Sequence, residues 1–185
     1  MIRMRRTGLL LPAFFAVCLL GDVSTCKCDP SKPETMEARE CGLCREAEKQ
    51  PAGVPYFFLK DSNPRKSNRT LVLPRKHYPA GHGIDHMPPN ERLELWTLAI
   101  KKAKELWGDD WGVAYNGDQV RTQCHGHIHI GKFLKVTETT RGNPFTISSP
   151  SEIPLSRGKG IWVHPVGGKM HVHWGEQICE TVLLR

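Results

Sequence analysis

The chain has 185 residues, 39% of them hydrophobic, which suits one globular domain with a sizeable core and excludes a disordered chain or two full domains. Lys and Arg number 26 against 19 Asp and Glu; the net charge of +7 becomes +5, from 23 against 18, once the first 25 residues are set aside. That surplus suits an anionic substrate such as a nucleotide and equally a plain soluble surface, but it lacks the clustered basic patch of a nucleic-acid binder.

Residues 1–25 read as a signal peptide. Arg3, Arg5 and Arg6 form a positive start, and Gly8 to Gly21 is an apolar run ending at Asp22. The run is shorter than the ~20 residues a membrane span needs, so cleavage between Gly21 and Thr25 and export are expected, with an uncleaved anchor as the alternative. Val23-Ser24-Thr25-Cys26 also resembles a lipoprotein signal, which would put a lipid anchor on Cys26. Residues 26–40 are polar, with Pro30, Pro33 and two Cys, and read as a linker or a tied-down arm.

Cys41 to Lys49 predicts one or two helical turns. Tyr56–Leu59 and Thr70–Leu73 are apolar runs bounded by Pro and a polar turn, which predicts a β-hairpin. Pro79 to Pro89 is a Gly- and Pro-rich loop in which His82 and His86 default to solvent. From Asn90, Leu93, Trp96, Ile100, Ala103 and Trp107 recur at steps of three and four, predicting a helix that Gly108 ends. Trp111–Asn116 and Gly126–Leu134 predict two more strands. Residues 137–160 read as one long loop. Ile161–His164 and Met170–His173, around Gly167-Gly168, predict a terminal hairpin, and Val182–Leu184 a last short strand. The order predicts an α+β fold, an antiparallel sheet with one main helix and a C-terminal hairpin extension over 137–185.

The chemistry concentrates on His125-Gly126-His127-Ile128-His129. Alternate residues of a strand share a face, so the three imidazoles point together while Ile128 and Ile130 supply the core side. Packing does not explain three histidines in a row. A neutral imidazole is both a nucleophile toward phosphorus and the commonest metal ligand, so a metal site is the rival reading. The mature chain keeps six Cys, at 26, 28, 41, 44, 124 and 179, which after export default to disulfides.

These residues resemble the histidine-triad (HIT) family. Its signature, three histidines alternating with apolar residues after a helix and a strand ending in Asn, matches Gly112–Gly117 followed by Arg121–Ile130. Leu71–His77 is similar to the family's strand exit. The resemblance covers a catalytic domain over 41–136, and the Arg121–Ile130 run is closest to the CDP-diacylglycerol pyrophosphatase-like branch. One departure is Gly126, where the family carries a bulky apolar residue. The resemblance implies a hydrolase or nucleotidyl transferase acting on phosphoanhydride or phosphoramidate bonds. His127 would be the nucleophile, with His129 and Thr122 on phosphoryl oxygens and Asn116, Gln123 and His125 on the substrate. Some relatives carry zinc, and Cys41, Cys44, His77 and His125 match that donor set. Zinc is favoured there over disulfides, and would be structural, not needed for the reaction.

The partners implied are a nucleotide or nucleotide-lipid, with no nucleic acid; membrane contact would follow only from a lipid anchor or lipid substrate, and a homodimer stays open. The alternative function is a His-rich metal-binding module, non-catalytic or metal-dependent. His171-Val172-His173-Trp174-Gly175-Glu176 is similar to a cupin metal strand, but its Glu comes too early. These two histidines otherwise cover the active site or decorate the hairpin.

Overall fold

The computed structural model describes residues 23, 26–78, 83–138, 141 and 144–185. The signal-peptide reading and the reading of His82 lie outside them, Val23 apart. Seven strands form one sheet in the order β1-β2-β4-β3-β6-β7-β5, every pairing antiparallel. They are β1 (Tyr56–Lys60), β2 (Thr70–Pro74), β3 (Trp111–Tyr115), β4 (Ile128–Lys132), β5 (Phe145–Ile147), β6 (Ile161–Val166) and β7 (Lys169–Trp174). Among the described residues two α-helices join them, α1 (Gly42–Glu48) and α2 (Pro89–Trp107). The α+β expectation holds, and among the described residues no helix is long and apolar enough to cross a membrane.

Alternation sorts the two faces of the sheet. Val72, Val113, Ile128, Ile130, Ile161, Val163 and Val172 point to one side and bury Leu95, Trp96, Ala99, Ile100 and Ala103 of α2. Leu93, expected on that helix face, is 38% exposed. The neighbouring positions in the strands face the other way. There the cross-strand row Leu71, His129, Ala114, Trp162 and His173 runs through β2, β4, β3, β6 and β7.

The C-terminal segment lies on this second face. Leu183 rests against Gly112 and Gly131, which pair across β3 and β4; a Cβ on Gly112 would stand 2.7 Å from the Leu183 side chain. The segment is a 3-10 turn over Glu180–Val182 with a single bridge from Leu183 to Phe133, not the strand expected at 182–184. Arg69, almost wholly buried, holds it by donating from NH2 to the Leu183 carbonyl at 2.9 Å and from NH1 to the Glu180 carboxylate at 2.8 Å.

Two further departures concern the edges. The stretch 137–160 hides β5, a three-residue strand that pairs with β7. Residues 26–40 are an arm, not a linker. Disulfides Cys26–Cys124 and Cys28–Cys41 tie it down, and the Cys124 N–H donates to the Glu40 carbonyl at 2.8 Å. A Cys26 sulfur in that bridge is not available for a lipid thioether.

Candidate active site

β4 begins only at Ile128, so His125 and His127 stand in the lead-in, which bends at Cys124-His125, and His129 alone is within the regular strand. His127 and His129 nevertheless come together, ring centroids 4.9 Å apart, and both line a cleft of about 750 Å³. Asn116, Thr122 and Gln123 line it too, as do Arg39, Arg45, Lys60, Lys66 and Arg121. Its acidic groups are Glu46, Asp61 and Glu180, so cations outnumber them.

The His127 Nδ1 lies 2.8 Å from the His125 carbonyl oxygen. A carbonyl only accepts, so Nδ1 carries the hydrogen and Nε2 keeps the lone pair. Burial pulls the imidazole down to about 4, and the Arg121 charge acts in the same direction. The ring is therefore neutral across the physiological range. Burial also holds His129 well below the ordinary histidine range, helped by His127, Lys66 and Arg69.

Around His129 stand groups to which the sequence reading gave no part in the site. Its Nε2 lies 3.4 Å from the Glu180 carboxylate and its Nδ1 3.9 Å from Asp61. Lys66 donates to Glu180 at 2.7 Å, and Arg69 does so at 2.8 Å. Glu180 is set in place by Asn116, whose Oδ1 accepts the backbone N–H groups of Cys179 at 2.9 Å and Glu180 at 3.0 Å. Only the amide NH₂ of Asn116 can then serve a substrate. Gln123 is spent similarly, accepting from the Leu43 N–H and donating to the Arg39 carbonyl. Its role is to fasten the arm and α1 to the strand lead-in.

His125 parts from its neighbours and does not line the cleft. Its ring meets His77 at 4.8 Å, and donor atoms of Cys44, His77 and His125 lie within 4.8 Å of one another. The expected zinc donor Cys41 is corrected: its sulfur is bonded to Cys28 and cannot be a thiolate ligand. The remaining three fit a zinc-class ion. His77 Nε2 faces Glu48 at 2.8 Å and His125 Nε2 faces the Pro74 carbonyl at 2.7 Å, so each ring has its outer nitrogen held by an acceptor, as metal-bound histidines do. Burial pushes the Cys44 thiol up to about 12, which leaves it inert unless a cation takes the place of its proton. Bound here, such an ion would brace the chain just before His127.

No family model matches the chain. A protein named as an uncharacterised HIT-like protein of Methanocaldococcus jannaschii is 34% identical over 89 residues, covering 43% of this chain and 66% of that protein. The chain thus spans a little under two thirds of that relative. The likeness supports a histidine-triad relationship for the matched residues.

Proposed function

We propose that the protein is a histidine-nucleophile enzyme that cleaves phosphoanhydride or phosphoramidate bonds of nucleotides, as hydrolase or nucleotidyl transferase. The observation that carries the reading is the His127 tautomer, a neutral ring with Nδ1 tied to the His125 carbonyl, in a cleft rich in cations. The Nε2 lone pair would attack the α-phosphorus, forming a P–N bond as the P–O bond to the leaving group breaks and takes its electron pair. The imidazolium so formed keeps its Nδ1 hydrogen on the carbonyl, which disperses the new charge. Water or another hydroxyl acceptor then forms a P–O bond and gives up its proton to solvent, while the P–N bond breaks, its electron pair returns to Nε2 and the ring is neutral again.

The finer readings are proposals on narrower support. CDP-diacylglycerol belongs among the substrates to assay on the strength of the Arg121–Ile130 run. Work outside the cytoplasm is supported by the Arg-rich start and by two disulfides. A second mechanism has one specific observation behind it: donor atoms of Asp61, His129 and Glu180 lie within 4.8 Å of one another in the same cleft, a set that could bind a hydrolytic metal.

One experiment separates the two. With a slow substrate carrying a radiolabelled α-phosphate, label should accumulate on the protein, survive base, leave in mild acid and map to the peptide holding His127. Activity that disappears with chelator, returns with metal and never labels the protein would replace the nucleophile with a metal-activated water.

A further inference from the structure

On the far side of the same sheet face, donor atoms of His164, His171 and His173 lie within 4.8 Å of one another, away from the cleft. His173 stands three strands from His129, β4 to β3 to β6 to β7, which at normal spacing is about 14 Å. The triad chemistry uses none of these residues.

The Nε2 atoms of His164 and His173 are 3.3 Å apart. Two nitrogens bound to one tetrahedral zinc at about 2.05 Å stand roughly 3.3 Å from each other, so the spacing is that of a shared ion. The tautomers agree. His173 Nδ1 lies 3.0 Å from the Arg141 carbonyl, which leaves its Nε2 as a lone pair aimed at His164. Glu138 stands beside the three rings, its Oε1 3.0 Å from His171 Nδ1 and 3.7 Å from His164 Nε2, within reach of an ion they share.

The rings are held as well as close. Trp162 stacks on His173 at 3.4 Å and Phe133 on His164 at 4.1 Å, both nearly parallel. Packing of this kind keeps ligands in place before a metal arrives.

The geometry points to a second metal site, in which His164, His171, His173 and Glu138 bind a borderline divalent cation of the zinc class and clip the β6–β7 hairpin to the segment after β4. Three imidazoles and a carboxylate suit Zn²⁺ and exclude the hard ions Ca²⁺ and Mg²⁺, which demand oxygen. The site is independent of the catalytic reading.

Titration of the full chain with Zn²⁺ and with Co²⁺ tests it, in the wild type and in Cys44→Ser so that the thiolate-containing site does not contribute. In Cys44→Ser we expect one equivalent of Zn²⁺ bound at about 1 μM or tighter, and a tetrahedral Co²⁺ spectrum free of thiolate charge transfer. Saturating Zn²⁺ should raise Tm by about 5 °C. Glu138→Gln and His171→Ala, both at the half-buried rim, should keep the fold and weaken binding by about tenfold or more. Removal of His173 should abolish binding, and if that variant fails to fold the two rim variants decide alone. Zn²⁺ affinity near the millimolar range, or affinity unchanged by both rim substitutions, would reduce the cluster to hydrogen-bonded histidines and overturn the site.

Discussion

An imidazole attacks only through a nitrogen that has a lone pair, and His127 has one nitrogen committed to the His125 carbonyl. His127→Ala should therefore lower kcat by about 10⁴-fold or more, some 5 kcal/mol of barrier, with the fold intact by circular dichroism. Activity within a few-fold of wild type would remove the covalent route. The pH profile gives a separate check. Because burial pulls His127 down to about 4, the nucleophile stays unprotonated well below the ordinary histidine range. The acid limb of kcat/KM should fall near pH 4 to 5; a limb centred near 6.5 would mean that an exposed histidine, not His127, does the work. The pairing of His127 with His129 was legible, because period-two alternation is a property of any extended chain. The grouping of His125 with Cys44 and His77 was expected only through the family resemblance and not from alternation, since it depends on where β2 ends and α1 packs.

At the scale of elements, the C-terminal turn and the N-terminal arm complete the site from opposite ends of the chain. Asn116 holds the turn through two backbone N–H groups, so Asn116→Ala leaves both without their acceptor and releases Glu180 from beside His129. We expect a loss of about 2 kcal/mol in stability and a fall in activity greater than that loss explains, measured at a temperature where the variant is fully folded. A stable variant of unchanged activity would mean that Glu180 has no part in catalysis. The arm depends on Cys26–Cys124, which closes a 98-residue loop next to the triad. On the loop-entropy account Cys124→Ser should cost about 5 kcal/mol, and its chemical denaturation midpoint should drop while the Cys28–Cys41 bridge persists. Strands with clear alternation and the period of α2 were readable in advance. Glu180 and Asp61 were not, because a short turn and a hairpin loop carry no periodicity, and the six-residue pairing problem of the cysteines has no local answer. The strand β5 escaped because three residues between Pro144 and Ser148 offer too little pattern to distinguish from loop.

For the whole molecule, the buried histidines couple the fold to acid. A histidine whose pKa is lower folded than unfolded binds fewer protons in the native state, so between the two values stability rises with pH. His127, with a folded value of about 4 against the ordinary 6.5, exacts no such penalty above pH 6.5, and its contribution is lost as pH falls from there toward 4. At pH 5 that loss amounts to about 2 kcal/mol for His127, and His129, also held low by burial, acts in the same direction. The carboxylates held below their ordinary range, Asp29 and Asp110, lose their contribution only below pH 4 and do not blur this window. The melting temperature should therefore be flat from pH 8 to 7 and fall by about 5 °C or more between pH 6.5 and 5. A His127→Gln, His129→Gln double variant should lose part of that slope, the rest coming from His173, which burial also lowers to about 4, provided that the variant still melts cooperatively. A wild-type Tm that holds constant down to pH 5 would show that these rings take up protons in the folded state, and the neutral nucleophile would go with it.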